Sequence, residues 1–74
     1  MEETTKLRKG NTIHFIAAGR IETITRVKGL NDSVNGELAT DKNEYSIYFI
    51  RTWQQLGFLK IYKKEKNEEH KTGL

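Results

Sequence analysis

A chain of 74 residues and 8.6 kDa, 35% apolar and 31% charged, has room for one small domain with a modest core. It contains no cysteine and no proline, so no disulfide braces it and no thiolate holds a metal. The net charge is +3, no apolar run approaches the ~20 residues of a bilayer span, and the opening Met1-Glu2-Glu3-Thr4-Thr5 is unlike a signal peptide, so a cytoplasmic protein with no membrane partner is expected.

Glycines at positions 10, 19, 29 and 36 divide the first half into strand-length pieces. Thr12 to Ala18 places Ile13, Phe15 and Ala17 on one face at period two. Ala18-Gly19-Arg20 is a tight turn, and Arg20 to Lys28, rich in Ile, Val and Thr, returns as the second strand of a hairpin. Its spacing of Ile21, Ile24 and Val27 breaks strict alternation, which points to a β-bulge. Residues 29–36 compose a loop in which Asn35-Gly36 is the sharpest turn signal.

Glu37 to Thr40 is a short strand and Asp41 to Glu44 a turn. Tyr45 to Ile50, Y-S-I-Y-F-I, is the clearest strand in the chain by composition. Thr52 then caps one helical turn through Leu56, with Gly57 in the left-handed position that ends it. Phe58 to Lys63 is the last strand, with Leu59 and Ile61 inward.

Five short antiparallel strands with one short helical turn fit a small SH3-like barrel; the alternative is an open antiparallel sheet with a short packed helix. Residues 7–63 form the single β domain, 1–6 a flexible N-terminus and 64–74 a disordered charged tail. The expected core is Ile13, Phe15, Ile21, Ile24, Val27, Leu38, Ile47, Phe49, Leu56, Leu59 and Ile61.

Two segments resemble a known group. Leu7-Arg8-Lys9-Gly10-Asn11 leads into a strand and Gly19-Arg20-Ile21. Later come Thr52, Trp53 and Leu56-Gly57-Phe58. Together they resemble short proteins of phages and mobile elements of Bacteroidetes-type bacteria, which open with L-R-x-G-N and later carry T-x-x-W-L-x-x-F-G-F. Here Trp53 follows the threonine directly and the group's proline-rich lead-in is missing. The group has no assigned activity to transfer; the resemblance implies a phage-type accessory protein.

Catalytic patterns are sparse. His14 sits mid-strand and His70 in the tail, and neither has Asp or Glu partners at metal-ligand spacing. The serines, Ser33 and Ser46, occupy no nucleophile turn. The carboxylate pairs Asp41/Glu44 and Glu68/Glu69 fall in a turn and the tail, where solvation keeps them from general acid–base work. The loop 29–36 lacks the G-K-[ST] step of a phosphate cradle. The expectation is a non-enzymatic protein without cofactor or metal.

One constellation combines basic and aromatic side chains. Lys60 and Tyr62 point outward if Leu59 and Ile61 point inward, Tyr48 lies beside them, and Arg20, Arg26 and Lys28 come from the hairpin. Arg51 and Trp53 add interface-favoured residue types, although Trp53 also suits the open end of a barrel. These eight residues form the candidate binding surface. A host protein, of nucleic-acid or defence machinery, is the leading partner, and the protein would act as an inhibitor or other accessory. Nucleic acid stacked on the aromatics is the second reading, set against the acids Asp32, Glu37, Asp41 and Glu44. A small virion structural component is the third. A monomer or weak homodimer fits all three.

Overall fold

The computed structural model describes residues 2–29 and 35–64. Seven elements follow in chain order: β1 (Glu3–Thr4), β2 (Thr12–Phe15), β3 (Arg20–Lys28), β4 (Glu37–Thr40), β5 (Glu44–Ser46), α1 (Ile47–Gln55) and β6 (Leu59–Tyr62). The strands form one antiparallel sheet in the order β1-β6-β2-β3-β4-β5. The sheet stays open, with β1 and β5 at its edges, so the second of the two expected architectures holds and the closed SH3-like barrel does not. Both edges are only two or three residues long, which limits their capacity to pair with other chains. Glu3 and Thr4, expected in a loose N-terminus, pair with Tyr62 and Ile61.

The inner face of the sheet carries Ile13, Phe15, Ile24, Leu38, Leu59 and Ile61, and α1 covers it with Ile47 and Ile50. A nine-residue helix is marginal alone, so this packing holds it. Complete burial of an isoleucine such as Ile50 contributes about 1.5–3 kcal/mol. Leu7 completes the core from the segment after β1.

The hairpin reads as expected over Arg20–Lys28, and the pairing of β3 with β4 shifts register between Ile24 and Arg26, where the bulge was anticipated. That bulge corrects one core assignment. Before it, the inward positions are Glu22 and Ile24; after it, the phase moves to Val27. Ile21 therefore points away from the core and is exposed. Leu56, at the helix C-cap, is also exposed rather than buried.

The larger correction concerns Tyr45 to Ile50. Only Tyr45 and Ser46 belong to a strand; Ile47 begins the helix, which runs through Gln55 rather than making one turn from Thr52. Ser46 is the N-cap, its hydroxyl accepting from the Phe49 N–H at 3.1 Å. The β-branched and aromatic composition favours a strand locally, yet the cap and the buried pair Ile47/Ile50 override it. Tyr48 consequently stands on a helix and not on a strand.

Asn11, buried, ties the two ends of the described chain together. Its Nδ2 donates to the Lys6 carbonyl at 3.0 Å, and its Oδ1 accepts from the Lys64 N–H at 3.0 Å. Leu7 and Asn11, two residues of the opening motif, thus have structural roles. The loop segment 30–34 with Asp32, and the tail beyond Lys64 with His70, lie outside the described residues.

Candidate docking groove

Helix α1 sets Phe49 and Trp53 four residues apart on one face, and Tyr45, in the middle of β5, precedes Phe49 by the same step. The three rings form a row: Tyr45 and Phe49 are stacked at 5.6 Å and 6° between planes, and Phe49 lies 4.9 Å from Trp53. Phe15, the last residue of β2, extends the row beyond Tyr45 at 5.6 Å, and Phe58 closes it against Trp53 at 5.4 Å. These five rings, with Ala17, Ala18 and Arg20, line a groove of about 330 Å³. Trp53 and Phe58 remain 37% and 45% exposed, so the rings are open to an occupant at that end.

The ending of the helix positions the last two rings. Gly57 adopts φ +83°, the left-handed region expected for it. The Phe58 N–H donates to the Trp53 carbonyl at 3.0 Å and the Gly57 N–H to the Gln54 carbonyl at 3.1 Å, the paired bonds of a Schellman ending. The chain turns back on itself there, and Phe58 meets Trp53 edge to face.

Behind the groove lies a polar cluster that sequence reading missed. The Glu22 carboxylate is fully buried beside the core. Its Oε1 accepts from Thr40 Oγ1 at 2.7 Å and from the Tyr45 hydroxyl at 3.0 Å; its Oε2 accepts from Arg20 Nε at 3.2 Å and from Asn43 Nδ2 at 3.5 Å. Thr40 Oγ1 in turn accepts from the Lys42 and Asn43 N–H groups and so shapes the β4–β5 turn. Burial first, and then the hydrogen bond to Glu22, hold the Tyr45 phenol above its ordinary pKa. Arg20 leaves this cluster toward the groove, its guanidinium 5.1 Å from the Phe15 ring centre and its side chain 49% exposed.

The eight expected binding residues do not share one surface. Trp53 and Arg20 meet at the groove. Lys60 and Tyr62 do lie outward of Leu59 and Ile61, but on the opposite face of the sheet, where Tyr62 packs on His14 at 4.4 Å. The half-buried His14 has no hydrogen-bond partner for Nε2 among the described residues. Arg26 is paired with Glu44 at 3.7 Å at the far end of β3, and Lys28 lies close by with Glu37. Tyr48 is exposed on the helix, and half-buried Arg51 donates to Gln54 Oε1 at 2.9 Å. The five-ring row was legible in one respect: Tyr45, Phe49 and Trp53 recur at the helical interval of four.

Among the described residues no three His, Asp or Glu side chains converge as a metal site requires, and no helix is long and apolar enough to cross a membrane. Comparisons with protein-family models, curated proteins and solved structures return no match to this chain.

Proposed function

We propose that this protein is a non-enzymatic binding protein that docks another protein through the aromatic groove, inserting no chemistry of its own. The observation that carries the reading is the half-open row of five rings, with Trp53 and Phe58 held at its mouth by a rigid helix ending. Exposed aromatics fixed in a concave, largely apolar site are what a protein interface uses as anchors. The resemblance to phage and mobile-element proteins supports a host protein as the partner.

Nucleic-acid binding draws less support. Arg26 is matched to Glu44, Arg20 is the one basic residue in the groove lining, and Lys60 and Tyr62 face away from Trp53. A stacking platform beside a continuous basic groove is therefore not assembled among the described residues.

Affinity capture from host lysate with wild-type and Trp53→Ala baits, quantified by mass spectrometry, tests the proposal. One host protein recovered near stoichiometry by the wild type, and depleted at least tenfold on the variant, is the expected result. Recovery of no such protein, or equal recovery on both baits, contradicts it.

A further inference from the structure

The groove has one charged side chain in its lining, Arg20, and the geometry of that residue says more about the occupant than the rings do. Its Nε donates to the buried Glu22 carboxylate and its Cζ lies over the Phe15 ring. Its guanidinium also faces the Tyr45 hydroxyl, and half of the side chain is open to solvent. The guanidinium is thus oriented by Glu22, Tyr45 and Phe15 while its solvent-open half faces the groove, where a carboxylate can reach it.

Glu22 does not cancel this charge at the surface. It is fully buried, and its oxygens are also occupied by Thr40, Tyr45 and Asn43, so the pair presents its cationic end to the groove. The whole chain carries a net +3, which favours an acidic partner at longer range.

Resting on the docking reading above, we infer that the groove recognises a protein segment in which a large apolar or aromatic side chain is flanked, within one or two positions, by an aspartate or glutamate. The apolar side chain lies among Phe49, Trp53 and Phe58, and the carboxylate meets the solvent-open side of the Arg20 guanidinium. Because Arg20 is already held in place, little side-chain freedom is lost when the carboxylate binds.

Selection from an immobilised library of random, terminally blocked octapeptides tests this, using the full chain. Trp53, the single tryptophan, then reports titration of each selected peptide by its fluorescence. The expected result is enrichment of peptides pairing an apolar residue with a neighbouring acid, and at least tenfold weaker binding when that acid is replaced by its amide. Arg20→Gln abolishes the preference. Since that change strips the partner from a buried carboxylate, the double variant Arg20→Gln/Glu22→Gln is measured alongside it. It removes both charges, and should bind the acidic peptide and its amide alike. Apolar peptides selected with no acidic bias, or a preference that survives in the double variant, overturn the inference while leaving groove docking intact. Selection of no peptide at all overturns both.

Discussion

Trp53 and Phe58 meet edge to face, with ring centroids 5.4 Å apart, across the glycine that ends the only helix among the described residues. The backbone bond from Phe58 to the Trp53 carbonyl and the ring contact belong to one motif, so the helix ending and the mouth of the groove are the same object. A change in backbone geometry at Gly57 is therefore a change in the groove.

Gly57→Val should destabilise the domain by about 1–2 kcal/mol or more, because a β-branched residue at φ +83° is strained by the backbone alone. A Cβ at this position meets no atom within 4 Å, so steric clash adds nothing to the cost. At roughly 4–8 °C per kcal/mol for a domain of this size, thermal melts resolve the loss. Gly57→Asn should lose less, since asparagine tolerates the left-handed region.

Glu22→Ala should be more damaging than its position on a strand suggests. Thr40 and Tyr45 would each lose a buried acceptor, at about 1–3 kcal/mol per unsatisfied group. Glu22→Gln keeps an acceptor and should cost less. Denaturant titration of the two variants against wild type gives the comparison.

The raised pKa of Tyr45 sets an alkaline limit. Unfolded, this phenol ionises near pH 10; folded, it holds its proton to higher pH. The folded state then binds more protons than the unfolded state, and stability falls as pH rises above that unfolded value and through the folded one. Below it the contribution is complete. Tyr45→Phe should lower stability at neutral pH by leaving Glu22 with fewer donors, and should flatten the decline above pH 10. Melting temperatures measured from pH 7 to pH 11 test both effects.

Lys60→Glu and Tyr62→Ala, on the sheet face opposite the groove, should leave partner binding within twofold of wild type. Surface plasmon resonance with the captured partner reads this directly. A large loss from either would move the interface to the other face.

The parts of the fold that could be read from sequence were those with a local cause. The bulge in β3 follows from Ile24 and Val27 falling out of alternation, and the helix end follows from a glycine placed after the apolar run. Tyr45 to Ile50 could not be read correctly, because its residue types favour a strand and the deciding contacts are the Ser46 cap and the burial of Ile47 and Ile50. Glu22 gave no signal at all: its partners Thr40, Asn43 and Tyr45 are 18, 21 and 23 residues away. Tyr48, assigned to a strand beside Lys60 and Tyr62, joined residues that the helix in fact separates.

The most direct test of groove docking is the NMR footprint of the bound partner on isotope-labelled protein. Backbone and methyl shifts should change at Phe15, Ala17, Ala18, Arg20, Phe49 and Phe58, with the Trp53 indole N–H among the most perturbed, and should stay quiet at Lys60 and Tyr62. A footprint centred on Lys60, Tyr62 and His14, with the Trp53 indole unmoved, would contradict the account.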